Sequence, residues 1–393
     1  MIFILIANLL ALFLSVFIAG ALVGVLFSSS IRERVSTQIA KWTRRPELSL
    51  TRFLKNPILA PRPNAWEAAA VLNPAALVAG GRVHLFYRAL GMDGVSRLGY
   101  ASSKDGLTFD VRLPYPVYAA PNPRNVAAHQ RRYNPVLYPS GGSWGGCEDP
   151  RVAKIDGRVY VTYNAFDGWD FIRVAVTSLS EEDLVAGRWN WAVPCLLSRA
   201  GERHKNWVLF PEKIHGKVAV LHSISGVDAT HVRIEYVDSI ETFDPSLQSF
   251  QSPDPHALPN TPITWHYRIR SAGPPPVKTQ LGWLLFYHAM DPNEPDRYKL
   301  GAMLLDLEDP TEILHRSPQP VLEPDAAYEN DGKPGIVYAC GAVVLDGTLY
   351  VYYGGGDKVV AVATAPLATF LNALIHEETP QLAPQSLERV GVR

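Results

Sequence analysis

Seven consecutive residues, Gly145-Gly146-Cys147-Glu148-Asp149-Pro150-Arg151, put two carboxylates and a guanidinium side by side behind a pair of glycines. A proline fixes the backbone among them, and an apolar strand pattern follows at once. Carboxyl groups beside a cation at the mouth of a strand are the ingredients of acid–base chemistry in a cavity. Side chains of adjacent strand residues point to opposite faces, so one of Glu148 and Asp149 is expected to serve as the acid, not both. Cys147 is expected to be a small packing residue, because a nucleophilic role would need a partner base that the sequence does not display.

The elements that must position this stretch recur five times. An apolar strand, a Gly-containing turn and an aromatic-rich strand come in succession. The second strands begin at Gly81, Gly157, Gly216, Gly282 and Gly347, about 60–75 residues apart, compatible with a propeller repeat carrying inserted loops. First strands are expected at residues 73–78, 150–155, 208–214, 276–279 and 337–345, and third strands at 98–102, 172–177, 232–237, 300–305 and 359–364. Five antiparallel units of three or four strands predict a five-bladed β-propeller. Beyond the N-terminus, helix is expected only near residues 366–373.

In a propeller the first strands line the central channel, so polar residues at equivalent repeat positions converge there. Asn73, Asp149 with Arg151, Lys205 with Asn206, and Lys278 begin first strands. Arg88, Asn164, His222 and His288 end second strands, with Asp357 just beyond one. That ring of acids, bases and amides suits a polyhydroxylated ligand, and its arginines suit bidentate contact with an anion. Taken singly, an Arg or His at a strand end is more often a salt-bridged rim residue; recurrence in register is what lifts the group. Trp66, Trp169 and Trp207 are candidates for stacking on a sugar, against the commoner role of filling space between blades.

The 393 residues carry a formal net charge of −1, so no basic excess offers itself to nucleic acid. With 47% hydrophobic residues a large core can be buried, and 29 glycines and 32 prolines suit many short strands joined by turns. Three widely spaced cysteines argue against a disulfide framework and for a reducing compartment. Residues 2–27 are almost wholly apolar, and no charge precedes Arg32. That stretch is long enough to cross a hydrocarbon core of about 30 Å as a helix. The flank that follows is basic, which by the positive-inside rule puts the rest of the chain in the cytoplasm. The expected organisation is a transmembrane anchor at 1–30, a juxtamembrane linker at 31–50, the all-β propeller catalytic domain at 51–375, and a tail at 376–393.

Gly146-Cys147-Glu148-Asp149-Pro150-Arg151 and Phe210-Pro211-Glu212-Lys213-Ile214 resemble the hallmarks of glycoside hydrolase family 130. So do Asn73-Pro74-Ala75, Tyr87-Arg88-Ala89, Ser96-Arg97-Leu98-Gly99-Tyr100-Ala101, Pro274-Pro275-Pro276-Val277-Lys278-Thr279, Tyr287-His288 and Tyr352-Tyr353-Gly354. They follow the family's order across roughly residues 50–370. The resemblance implies a β-mannoside phosphorylase or β-mannosidase on a five-bladed propeller. It implies that Asp149 is the proton donor, acting in the phosphorylases through the 3-hydroxyl of the mannosyl unit. Inorganic phosphate then attacks the anomeric carbon with inversion and gives α-mannose 1-phosphate. Asn73, Arg88 and Asp357 match positions that bind sugar and phosphate, and Lys278, His288 and Tyr298 match the phosphate side. Arg151, Lys205 and Asn206 complete the expected binding set. No cofactor and no metal are expected, phosphate being a co-substrate.

Two departures bear on the reaction. The chain has Lys205-Asn206 where phosphorylases often carry Arg-Asn, and His222-Ser223 where they often carry His-Arg. An inverting hydrolase is therefore the first alternative, with Glu202, Glu212 or Asp228 as its base, expected about 6.5–9.5 Å from the acid. A membrane-tethered glycan-binding propeller without turnover is the second.

Overall fold

Tight reversals set the pattern. Gly80-Gly81, Asp156-Gly157, His215-Gly216 and Asp346-Gly347 each place two successive residues in the left-handed region, the geometry of two-residue hairpins between twisted strands. The computed structural model describes residues 48–120, 141–168, 171–225, 231–247, 265–266, 268–291 and 293–376.

Five antiparallel units follow in chain order. The first is β2 (Ala70–Ala79), β3 (Arg82–Leu90), β4 (Val95–Ser103) and β5 (Val111–Arg112). The second is β6 (Gly145–Ile155), β7 (Arg158–Asp167), β8 (Ile172–Ser180) and β9 (Cys195–Leu196). A short parallel pairing of Val95 with Gly145 and Ser96 with Gly146 joins these two. The third is β10 (Val208–Leu209), β11 (Val218–Ser225) and β12 (His231–Val237). In the fourth, β13 (Arg268–Ala272) and β14 (Val277–Lys278) both pair with β15 (Trp283–Asp291), followed by β16 (Glu294–Leu305) and β17 (Ile313–Arg316). The fifth is β18 (Val337–Leu345), β19 (Thr348–Gly355) and β20 (Val359–Pro366). It is completed from the other end of the described chain by β1 (Thr51–Arg52), which pairs with β20.

The alternation of side chains explains how these units hold together. In β15, Leu284 and Phe286 enter one core with β19 and β20, whereas Leu285 and Tyr287 enter another with β11. In β3, Phe86 packs toward β7 and Leu85 and Tyr87 toward β19 and β20. In β11, Ala219 and Leu221 face β15 while Val218 and Val220 face β8. Each blade is thus apolar on both faces, and five cores lie between five neighbouring pairs of blades, closing a ring. Strands buried on both faces lose the polar-out alternation of a one-sided sheet, which is why the sequence shows continuous apolar runs here.

Two expectations are corrected. The helices among the described residues are α1 (Glu181–Val185) and α2 (Leu367–His376), of 5 and 10 residues. At about 1.5 Å per residue they fall well short of a hydrocarbon core of about 30 Å, and among the described residues no helix is long and apolar enough to cross a membrane. The expected anchor at residues 1–30 lies outside the described residues. The fold class of the described residues is accordingly all-β, with no membrane-spanning helix among them, and the expectations of a single-pass membrane protein, a membrane partner and a cytoplasmic catalytic domain find no support there and are not carried further. Second, the pocket-level first strand of the fourth unit is β13, not residues 276–279. Pro274-Pro275-Pro276 removes three successive donors and interrupts pairing, and β14 resumes it at the far end of β15.

Candidate active site

Equivalent bulges in β2 and β6 build the centre of the site. Pairing passes from Leu72 opposite Arg88 to Ala75 opposite Phe86, and from Glu148 opposite Asn164 to Arg151 opposite Thr162. Each bulge inserts one residue and re-aims a side chain. The residues re-aimed are Asn73 and Asp149, both at φ 48° and both followed by proline. Asn206 (φ 61°) and Asp357 (φ 50°) share that left-handed conformation. Asn and Asp tolerate it better than most residues, and such strain persists where surrounding structure enforces it, often at functional sites. Gly354 leaves the space for Asn73: a Cβ there would lie 2.3 Å from Asn73 Oδ1.

Asp149 is buried, with donors on both oxygens. Asn73 Nδ2 donates to Oδ1 at 2.6 Å and Arg88 Nη1 donates to the same oxygen at 3.0 Å. Asn164 Nδ2 reaches Oδ2 at 3.4 Å. Asn164 is itself fixed by Asn206, whose N–H donates to its Oδ1 (2.8 Å) and whose Oδ1 accepts from its Nδ2 (3.0 Å). Burial alone would raise the proton affinity of Asp149. The charges of Arg88, Lys205 and Arg151 and the Asn73 hydrogen bond outweigh it and hold the carboxyl well below the ordinary aspartate range.

Glu148, fully buried, departs from the alternation expected of it. The bulge breaks the two-residue period, so both neighbouring carboxylates reach one guanidinium. Arg88 Nη2 donates to Glu148 Oε1 at 3.1 Å, Ser143 Oγ donates to the same oxygen at 2.6 Å, and Lys205 Nζ donates to Oε2 at 3.1 Å. Arg88 is completed by Ser96 and Ser143, at 2.9 Å each. Neither serine announced itself in the sequence; Ser96 lies inside the Ser96-to-Ala101 motif, which was the available signal.

The other predicted residues divide. Arg151 is buried and pins the bulge backbone: its Nε donates to Gly273 O (2.6 Å) and its Nη1 to Asp149 O (2.8 Å). Asp357 lies 3.8 Å from Lys333 Nζ. Its burial raises its proton affinity, with Lys333 and Arg88 opposing and Asp149 and Glu148 adding to the rise. His288 is buried in the wall. Its Nε2 accepts from Ala339 N–H (2.9 Å), so the proton sits on Nδ1 beside Ser271 Oγ (3.1 Å), and the ring stacks on Tyr338. Burial, then Arg151, push it well below the usual histidine range, so it is neutral, with both nitrogens engaged. Tyr298 stands edge-on to Tyr338, with Arg270 and Lys333 over its ring.

Lys278 is not brought to this group. It is half exposed, pairs with Glu212, and lies opposite Trp283. His288 is five residues further along β15, or about 17 Å at strand spacing. The triple proline explains the displacement.

Of the tryptophans, Trp207 is core between the second and third units, Trp66 donates to Pro114 O at 3.0 Å, and Trp169 lies outside the described residues. Cys147 is core, its thiol pushed up to about 12 by burial, which fits packing rather than nucleophilic work. Of the bases considered for hydrolysis, Glu212 is taken by Lys278, Glu202 Oε2 lies 2.5 Å from His204 Nε2, and Asp228 is outside the described residues. Among the described residues, no group of three His, Cys, Asp or Glu is placed to hold a metal.

Three comparisons bear on this arrangement. A family model described as beta-1,4-mannooligosaccharide phosphorylase matches residues 41–376. A 1,2-beta-oligomannan phosphorylase from Thermoanaerobacter sp. (strain X514) is 37% identical over 80% of this chain and 97% of its own length. A beta-1,2-mannobiose phosphorylase from the same strain is 33% identical over 80% of this chain and 96% of its own. Among solved structures, the beta-1,2-mannobiose phosphorylase of Listeria innocua, in complex with beta-1,2-mannobiose, shares the fold with a TM-score of 0.59 at 24% identity, covering 83% of this chain and 99% of that one. With the family match spanning residues 41–376 and relatives 33–37% identical over 80% of the chain, the chain belongs to glycoside hydrolase family 130 and is an enzyme acting on glycosides.

Proposed function

We propose that this enzyme cleaves β-mannosides reversibly by inverting phosphorolysis, with Asp149 as the acid and inorganic phosphate as co-substrate, releasing α-mannose 1-phosphate. The observation that carries the reading is the convergence of Asn73, Arg88 and Asn164 on the Asp149 carboxyl, with Lys205 beside it. Asn73, Asn164, Asn206 and Asp357 supply the amide and carboxyl groups that a sugar's hydroxyls need, and Arg88 and Lys205 supply the charge that an anion needs. The named relatives favour β-1,2-linked mannosides as the substrates to try first.

An acid must hold a proton at the moment of reaction, and the charges of Arg88, Lys205 and Arg151 hold Asp149 below the ordinary aspartate range. Phosphate entering beside Arg88 and Lys205 brings negative charge that offsets those cations and raises the proton affinity of Asp149 toward its task. Arg151 and His288 take positioning parts in this reading: one fixes the backbone of the bulge, the other the wall that carries Tyr338.

The test is to incubate the protein with β-1,2-mannobiose with and without inorganic phosphate and to follow mannose 1-phosphate. Phosphate-dependent release of the α-anomer is expected. Release of free mannose alone, indifferent to phosphate, would overturn the reading in favour of hydrolysis.

A further inference from the structure

Lys333 is not among the residues that the sequence singles out, yet the fold sets its ammonium beside Asp357. The segment between β17 and β18 that carries it is tied down on two sides. Lys333 N–H donates to Gly356 O at 2.8 Å and Gly356 N–H to Ile336 O at 3.1 Å, which lays the segment on the turn between β19 and β20. On the other side, Tyr298 N–H of β16 donates to Gly335 O at 2.8 Å. Gly332, at φ 129°, permits the approach: a Cβ there would lie 2.4 Å from Gly356 O. From this fixed backbone Lys333 Nζ reaches Asp357 Oδ2 at 3.8 Å and stands 5.7 Å from the centre of the Tyr298 ring. At 3.8 Å it meets the carboxyl by charge, not by a hydrogen bond. The Lys333 side chain is 58% exposed and that of Asp357 16%.

The other charges near Asp357 are accounted for. Arg88 of β3 favours its ionised form, whereas Asp149 and Glu148 of β6 oppose it. Arg88 is already shared between those two carboxylates. Arg270 of β13 lies against the Tyr298 ring at 5.6 Å, and Lys358 pairs with Asp331 at 3.1 Å. Burial raises the proton affinity of Asp357, and of the cations Lys333 counters it most strongly.

We propose that Lys333 is a positioning residue for the sugar: its charge maintains Asp357 as a carboxylate that accepts a hydrogen bond from a hydroxyl of the bound mannoside. This rests on the reading above for the substrate, and concerns binding, not transfer to phosphate. A protonated carboxyl presents a donor where the carboxylate only accepts. Removing a nearby cation raises the pH at which that exchange occurs. Loss of the lysine therefore weakens binding on the acidic side and not on the basic side. A side chain that only supported its loop would lower affinity equally at every pH.

Lys333→Met alters an exposed side chain and is expected to fold as the wild type does, checked by circular dichroism. Its Kd for β-1,2-mannobiose, measured by calorimetry without phosphate, is expected to weaken about tenfold near pH 5 and to return within about twofold of wild type near pH 8. In turnover KM should follow Kd, with kcat changed less than about twofold. Lys333→Arg keeps the charge and is expected to bind as the wild type does at both pH values. On an Asp357→Asn background, which has no carboxyl left to titrate, Lys333→Met is expected to add no pH-dependent loss. Equal loss at both pH values, no loss at either, a pH-dependent loss that persists without the Asp357 carboxyl, or a wild type that takes up no β-1,2-mannobiose would each overturn the inference. A wild type that binds the disaccharide but releases no mannose 1-phosphate counts against the phosphorylase reading alone, and the titrations then still decide the role of Lys333.

Discussion

Between Leu72 and Ala75 in the first unit, and between Glu148 and Arg151 in the second, the backbone makes the same one-residue bulge at the same φ, ahead of the same proline. One bulge presents Asn73, the other Asp149. Opposite them the strand ends differ in complement: Arg88 in the first unit, Asn164 in the second. The amide and the guanidinium of one blade are thereby aimed at the carboxyl of the next. The comparison teaches that the repeat supplies a geometry, and that chemistry arises from what differs between copies. A ring of five identical blades would set identical groups against each other, with like charges facing. Substituting an amide for one carboxylate and a guanidinium for one amide turns that repulsion into a hydrogen-bonded acid.

The comparison is broken most directly by erasing the difference. Asp149→Asn makes the two bulges alike and is expected to cut phosphorolysis about 10³-fold while the fold, checked by circular dichroism, persists. The exchange Asn73→Asp/Asp149→Asn keeps the composition but moves the carboxyl to the first unit, away from Asn164 and Asn206; it is expected to stay as inactive as the single variant. Recovery of turnover in the exchange would show the two positions to be interchangeable.

Next in size is Arg88→Met. Removing the cation shared by Glu148 and Asp149 leaves two buried carboxylates under-compensated, a loss of about 3–5 kcal/mol by analogy with broken buried pairs, read as unfolding midpoint in denaturant. The sign of its pH dependence follows from Asp149. A carboxyl whose folded proton affinity is depressed stabilises the wild type above the unfolded value of about 3.9, and that stability is lost as pH falls through the lower folded value. The gap between wild type and variant should therefore narrow below about pH 4. A gap that widens on acidification would mean that Arg88 is not what holds the pair.

Asp357 contrasts with Asp149: among the described residues, one carboxyl receives hydrogen bonds on both oxygens and the other has an ion-pair partner at 3.8 Å. Its raised folded proton affinity gives a contribution that is present below the unfolded value and lost as pH rises through the folded one. Asp357→Asn should melt at a higher temperature than wild type at pH 7, with the advantage gone below about pH 4. Equal melting at both pH values would place Asp357 with the compensated carboxylates. Smallest of all, Lys278→Ala removes a half-exposed pair with Glu212 far along β15. It should cost under about 1 kcal/mol and leave the KM for phosphate within about twofold, where a phosphate ligand would lose far more.

Much of the site was legible because repeats mark equivalent positions. Asn73, Arg88, Asp149, Asn164, Lys205 and Asn206 all came from asking what lies at matched strand ends; hydrogen bonds link Asn73, Arg88, Asp149, Asn164 and Asn206, and Lys205 meets Glu148, which Arg88 also holds. What failed did so for local physical reasons. Lys278 was assigned by its place after the prolines, and those prolines push its strand to the wrong end of β15. His288 stood at a matched position too, yet its ring is turned into the wall, where Ala339 and Ser271 use both nitrogens. Strand alternation set Glu148 and Asp149 on opposite faces, and the bulge suspends that alternation, so both reach Arg88.

Sequence alone determined the five-fold succession of apolar strands and the order of the motif residues, because hydrophobic period and turn chemistry are local and survive without knowledge of partners. Which side chains meet was decided only by tertiary structure. Bulges, left-handed residues and the pairing of blades set directions that no spacing along the chain encodes, and a carboxylate acquires its proton affinity in part from neighbours as distant in sequence as Arg88, 61 residues away. Asp149 could be named from its motif; that Arg88 divides itself between Asp149 and Glu148 is a fact of the closed ring.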